Sequence, residues 1–214
     1  MKNIAIFASG NGSNAQKIIE YFNCSTSNGE SMEPPRAAKV TRVICNRANA
    51  YVIERAEKLG VPATYLPKEE LTSNPQPLLD LLERDRTDYI VLAGYLLMIP
   101  QELIHKYGGK IINIHPSLLP SYGGKGMYGS RVHEAVIAAN EKRSGITIHL
   151  VDEKYDSGAI IFQAECPVLE NDTPESLAER IHTLEHTHFP HIIEAEINIM
   201  LHTGMILFQR YQDL

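Results

Sequence analysis

Short apolar runs alternate with segments of helical period along this chain, and that alternation restricts the fold more than any other feature. Residues 3–8 (NIAIFA), 39–45 (KVTRVIC), 88–93 (DYIVLA) and 110–114 (KIINI) are too short for buried helices and read as buried strands. Residues 13–22, 50–59, 78–86 and 100–107 lie between or beside them and read as helices; Gly60 stops the second, and Gly108 with Gly109 stops the last. Residues 63–66 offer a further short strand. A succession of strand, helix and strand requires right-handed crossovers and parallel pairing. The expected fold is therefore α/β: a doubly wound, mostly parallel, Rossmann-like sheet with helices on both faces. Further on, 129–140 reads as a helix. Residues 145–151 and 159–169 follow as neighbouring strands, which puts an antiparallel strand toward the C-terminus. Asp172 or Thr173 can cap a long helix that has Pro174 at its first position and runs to about Met200. Residues 205–211 are predicted to add an edge strand.

Composition narrows the class. The 214 residues suit one domain, 1–214, and 43% apolar with 21% charged residues is ordinary for a packed globule. The net charge of −6 makes the chain a poor general binder of nucleic acid or membrane, so an anionic ligand must be held by local donors. Cys24, Cys45 and Cys166 are odd in number and scattered, which argues against a disulfide framework and for a reducing compartment, the cytoplasm. The apolar run at the start is too short for a signal-peptide core. The longest apolar stretch, 89–99, falls short of the roughly 20 residues a membrane span needs. Residues 23–35 (NCSTSNGESMEPP) read as a long solvated loop.

Three loops leave strand ends with unusual chemistry, and in such sheets ligands sit beyond the carboxyl ends of the strands. Ser9, Gly10, Asn11, Gly12, Ser13 and Asn14 leave a strand and open a helix. Glycines allow close backbone approach, and a helix start offers free N–H groups, so a phosphate is the natural guest. Gly10, Gly12 and Ala15 also fit the dinucleotide fingerprint. The second strand, however, ends Ile44-Cys45-Asn46-Arg47 without the carboxylate that reading needs. The second motif is NIHPSLLP. Asn113 and His115 are two apart at a strand end and share a face, an amide donor beside a titratable imidazole. A polar turn is the plainer reading. The third is DEKYDSG, where Asp156 either makes a tight turn or reaches a histidine. The fourth is the apolar loop 94–99, which can line a pocket for a flat heterocycle or be covered core. A fifth, His182-Thr-Leu-Glu185-His186, matches an inverted zinc-protease pattern and supports a zinc hydrolase as an alternative. A non-enzymatic nucleotide-binding module is another.

SGNGSN, LAG with its apolar loop, NIHPSLLP and the late D-x(3)-D-S-G come in order along almost the whole chain. Together they resemble the glycinamide ribonucleotide formyltransferases, folate-dependent enzymes of purine synthesis. NIHPSLLP alone is shared by the wider group of 10-formyltetrahydrofolate-dependent formyltransferases and deformylases, which remain alternatives. Their extra domains do not fit this length. The resemblance implies the formyltransferase fold and two small-molecule substrates, glycinamide ribonucleotide and 10-formyltetrahydrofolate. It implies no metal, no nucleic acid, no membrane, and a monomer or homodimer. It further implies that Gly12, Ser13 and Asn14 hold the substrate phosphate and Glu185 its ribose. Leu96, Leu97, Met98 and Ile99, with Asn113, face the folate. Asn113 and a protonated His115 act on the formyl oxygen, and Asp156 raises the imidazole pKa. Residues 1–100 would bind the phosphate substrate, and 101–214 the folate and the chemistry. The chain departs from the family in three places: Leu96-Leu97 stands where Met-Arg is frequent, Asn74 where an Arg is common, and His182 where a Gln is common. The loop after NIHPSLLP is also richer in glycine.

Overall fold

A computed structural model describes residues 1–24 and 36–212, with side chains through residue 200. The expected solvated loop lies almost wholly outside the described residues. The strands are β1 (Lys2–Ala8), β2 (Ala38–Cys45), β3 (Ala63–Tyr65), β4 (Tyr89–Leu92), β5 (Ile111–His115), β6 (Arg143–Leu150) and β7 (Ile160–Pro167). The helices are α1 (Ser13–Asn23), α2 (Tyr51–Lys58), α3 (Lys68–Thr72), α4 (Gln76–Arg84), α5 (Gln101–Lys106), α6 (Ser130–Ala138) and α7 (Pro174–Gln212). One seven-stranded sheet has the order β3-β2-β1-β4-β5-β6-β7. The first five strands in that order pair in parallel, while β6 runs antiparallel to both β5 and β7.

Alternation along β1 explains the two layers. Ile4, Ile6 and Ala8 face one core together with Ile18 and Ile19 of α1 and Phe189 and Ile193 of α7. Ala5 and Phe7 face the other, with Leu71, Leu78, Leu82 and Leu103 of α3 to α5. A central parallel strand buried on both faces carries no polar residue in its middle, which is how NIAIFA reads. Helix α7 spans the first layer with a stripe at every fourth residue, Leu177, Ile181, Glu185, Phe189, Ile193 and Ile197, all buried. Thr173 settles its start: the Thr173 Oγ1 accepts the Ser176 N–H at 3.3 Å, while Asp172 pairs with Arg180 at 2.7 Å.

One expectation fails, and one element was not predicted. The backbone over 205–211 continues α7 rather than forming an edge strand; a short apolar run looks the same in either state, and no turn separates this one from the helix before it. Helix α3 was not foreseen, because five residues reading KEELT carry too little periodicity.

The reversal of strand order between β1 and β4 is a topological switch point, where a crevice opens at the carboxyl ends. Phe189, fully buried between α7 and the sheet, sets the strength of that platform. Phe189→Ala is expected to lower the unfolding free energy by about 3–5 kcal/mol. A loss under about 1 kcal/mol in urea unfolding would mean that α7 does not anchor the sheet.

Candidate active site

The crevice at the switch point holds a cleft of about 310 Å³. Its floor is the turn after β1. Gly12 caps α1 in the left-handed region at φ 79° and accepts the Gln16 N–H at 2.9 Å. The N–H groups of Ser13, Asn14 and Ala15 therefore have no acceptor within the helix. A Cβ on Gly12 would stand 2.4 Å from Val52 Cγ2, so both backbone and packing require glycine there. The remaining walls come from Gly94, Tyr95 and Leu96 after β4, Asn113 and Pro116 at the end of β5, and Tyr128, Gly129 and His133 at the start of α6. His182 and Glu185 of α7 complete them. The Glu185 carboxylate, 5% exposed, accepts the Asn14 amide N–H at 2.8 Å. Burial pushes its pKa up, against the opposing pull of Asn14 and His182.

A second cleft lies alongside, lined by Leu97, Met98 and Ile99, by Val151, and by Asp152, Tyr155 and Asp156 of the loop after β6. Tyr95 and Asn113 line both clefts. The glycine turn, the loop after β4 and the segment after β5 thus meet at the first cleft; Leu96 faces it rather than the second, and its N–H is donated to Ser9 Oγ at 3.0 Å. Each cleft draws residues from both sides of residue 100.

At the junction, antiparallel pairing sets Asn113 opposite His149. His149 Nδ1 lies 2.8 Å from the Leu150 carbonyl and must donate to it; in the neutral ring Nε2 is then the acceptor. The Asn113 amide therefore presents its NH₂ to His149 Nε2, at 3.0 Å. One amide hydrogen is held by this bond and the other is left for the cleft. His149 was missed from sequence because nothing local marks a histidine inside GITIHLV; only the β5–β6 register does.

His115 and Asp156 are brought together as expected, with His115 Nδ1 at 3.6 Å from Asp156 Oδ2. His149 Nε2 stands 3.7 Å from the other carboxylate oxygen. His115 itself is 4% exposed and donates its Nε2–H to the Tyr122 carbonyl at 2.8 Å. It lines neither cleft. Asp156 pulls the His115 pKa up as expected, but the net direction is downward, against the protonated ring that was expected. Desolvation is the largest influence and pulls His115 below its ordinary value, despite Asp156 and the Tyr122 carbonyl pulling the other way. Burial also pushes the Asp156 carboxyl up, but His149 and His115 in their charged forms and the Gly124 N–H, 2.8 Å away, together bring it below the usual range.

The histidine-rich stretch of α7 takes another form than a zinc site. Glu185 is engaged with Asn14, while His182 and His186 stack with centroids 6.2 Å apart. Among the described residues no three His, Cys, Asp or Glu side chains converge as a metal-ligand set. His133, 3% exposed, leaves Nδ1 without a partner; burial and the charges of His182 and His115 pull its pKa down to about 4.

Comparison with known proteins matches residues 2–193 to the formyl transferase family. A chloroplastic phosphoribosylglycinamide formyltransferase of Vigna unguiculata is 42% identical over 91% of the chain; the chain spans 60% of that protein's length, and 65% of an Arabidopsis thaliana relative of the same name. The Bacillus subtilis protein of that name is 39% identical, with 91% of this chain and 94% of the relative covered. Among solved structures, glycinamide ribonucleotide transformylase 1 from Geobacillus kaustophilus superposes with a TM-score of 0.80 at 35% identity, covering 92% of this chain and 99% of the other.

His133 predicts a pH dependence of stability. Its folded pKa near 4 lies below the unfolded value of 6.5, so the unfolded chain binds the proton first. The stability is fully present above pH 6.5 and is lost as pH falls toward 4, by about 2–3 kcal/mol from this residue. His133→Gln should flatten the fall in urea-unfolding free energy between pH 7 and pH 4.5. An equally steep fall in the variant would remove His133 as its source.

Proposed function

This chain belongs to the formyl transferase family, and from that premise we propose that it moves a formyl group from N10 of 10-formyltetrahydrofolate to the free amine of glycinamide ribonucleotide. The products are formylglycinamide ribonucleotide and tetrahydrofolate, a step of purine synthesis. One observation carries the reading: a cleft floored by a glycine turn and a helix start meets a second cleft bordered by the apolar loop residues Leu97, Met98 and Ile99, and Asn113 lines both. The first suits a phosphoribosyl group. Gly12, Ser13 and Asn14 take its phosphate and Glu185 its ribose hydroxyls. The second suits a flat heterocycle, held by Leu97, Met98 and Ile99, with Leu96 at the border of the two. The three described cysteines are free thiols, which suits the cytoplasm.

The chemistry follows from the junction. The neutral amine attacks the formyl carbon, a C–N bond forms, and the carbonyl electron pair moves onto oxygen. The free Asn113 amide hydrogen meets that oxyanion; one good donor in such a site is worth about 3–4 kcal/mol. His115 joins when its Nε2–H exchanges the Tyr122 carbonyl for the oxyanion. Burial keeps the resting imidazole neutral, and Asp156 faces Nδ1, where an arriving proton is stabilised. The amine gives up one proton, N10 of the folate gains one as its bond to carbon breaks, and His115 with Asp156 serves as the relay.

The direct test mixes purified protein with 10-formyltetrahydrofolate, with and without glycinamide ribonucleotide, and follows folate absorbance. Change only with both substrates is expected. Change without the amine would identify a deformylase instead, and none in either arm a binding module. Asn113→Ala and His115→Ala are each expected to lower turnover at least a hundredfold with little effect on binding of the phosphate substrate; near-normal turnover in either sinks the assignment. Asp156→Asn removes the carboxylate that pulls the His115 pKa upward, so the imidazole should titrate at still lower pH. The C2–H signal of His115 in NMR reports this, and an unmoved titration would separate the two residues.

A further inference from the structure

Helix α2 touches the floor of the first cleft from behind. The Val52 N–H donates to the Gly10 carbonyl at 3.2 Å, and the Val52 side chain fills the space that a Cβ on Gly12 would need. One turn later, Arg55 reaches the same loop. Its Nε donates to the Asn11 carbonyl at 2.9 Å, and one Nη to Asn11 Oδ1 at 3.0 Å. The other Nη donates to Gln16 Oε1 in the first turn of α1. A single planar guanidinium thus ties the backbone and side chain of Asn11 to the helix that the loop opens. The Tyr51 ring, 4.6 Å from the guanidinium carbon, packs against its face.

We propose that Arg55 is a positioning residue that holds the Gly10–Gly12 turn in its anion-binding geometry and adds positive potential behind it, without touching the ligand. This rests on the reading of the first cleft as the site of a phosphate-bearing substrate. Two physical reasons support it. The turn contains two glycines, which lose the most conformational freedom on ordering, so a flexible loop would weaken any anion held by its N–H groups. The chain as a whole is acidic, so a fixed local cation matters for a dianion. The fork geometry is what arginine supplies and lysine cannot: lysine offers a point charge, not two parallel N–H groups for Asn11.

The test separates positioning from general stability. Arg55→Ala, Arg55→Lys and wild type are first checked for equal folding by circular dichroism and urea unfolding. Inorganic phosphate is then titrated while the backbone amide signals of Ser13 and Asn14 are followed by NMR. Arg55→Ala should weaken phosphate binding about tenfold, and Arg55→Lys should remain at least threefold weaker than wild type. In turnover, Arg55→Ala should raise the KM for glycinamide ribonucleotide by a similar factor, with kcat at saturation within twofold. It should leave kcat/KM for the dephosphorylated ribonucleoside unchanged. Three results overturn the proposal: wild-type phosphate affinity in Arg55→Ala, full recovery by lysine, or an equal loss on the phosphate-free substrate. The NMR arm needs no turnover. Wild-type protein that binds phosphate through Ser13 and Asn14 but transfers no formyl group would refute the reaction and leave the clamp standing.

Discussion

Two hydrogen bonds across the sheet's switch point hold the site together. The Ser9 N–H donates to the Gly94 carbonyl and the Leu96 N–H to the Ser9 hydroxyl, both at 3.0 Å. Strands β1 and β4 run side by side in parallel, and their loops leave in opposite directions, so nothing in the ladder itself keeps those loops in register. Ser9 is fully buried and bonds the loop from both its backbone and its side chain. That seam fixes where the glycine turn lies relative to Gly94 and Tyr95, and thus fixes the width of the first cleft. It also turns the apolar loop so that Leu96 ends on one side and Leu97 on the other.

Desolvation governs the electrostatics of this region. His115, His133 and Glu185 all sit in surroundings that disfavour their charged forms, and in each case burial outweighs the neighbouring opposite charges or donors. For His115 this changes the chemistry. An imidazolium held permanently beside Asp156 would be a fixed charge; a neutral ring with Asp156 facing its free nitrogen is a proton acceptor with its stabiliser already in place. For Glu185 the consequence is positional. It occupies a core position in the every-fourth-residue stripe of α7, where Leu177, Ile181, Phe189 and Ile193 are apolar. A carboxylate there needs a partner, and Asn14 supplies it.

That stripe shows both how much was legible and where legibility ended. The alternation of NIAIFA, DYIVLA and KIINI with helical segments led to the doubly wound sheet, and the glycine turn, Asn113, His115 and Asp156 stood out through chemistry at strand ends. Glu185 entered through a zinc-protease pattern, and its place at the substrate ribose through resemblance alone, although a glutamate breaking an i, i+4 apolar row is itself a signal of a buried, partnered acid. His149 had no such signal, because its place opposite Asn113 depends on the register of two strands far apart in sequence. The protonated state of His115 was misjudged for a related reason: the upward pull of Asp156 was visible in the motif and is present, but the depth of burial that outweighs it is a property of the packed whole. The run at 205–211 failed because apolar length alone does not distinguish a strand from the tail of a helix.

The shared lining of the two clefts bears on how transfer proceeds under the proposed function. Asn113 and Tyr95 belong to both walls, so groups lodged in the two clefts meet at one amide. Holding two reactants at such a meeting point turns a bimolecular step into an effectively unimolecular one, provided that the amide is fixed. His149 does the fixing. Its tautomer is set by the Leu150 carbonyl, and that in turn sets which way the Asn113 amide faces. The order of dependence therefore runs from strand register to histidine tautomer to amide orientation to oxyanion. Every link before the last is already made in the fold itself, which is what preorganisation requires of a site that stabilises charge without rearranging.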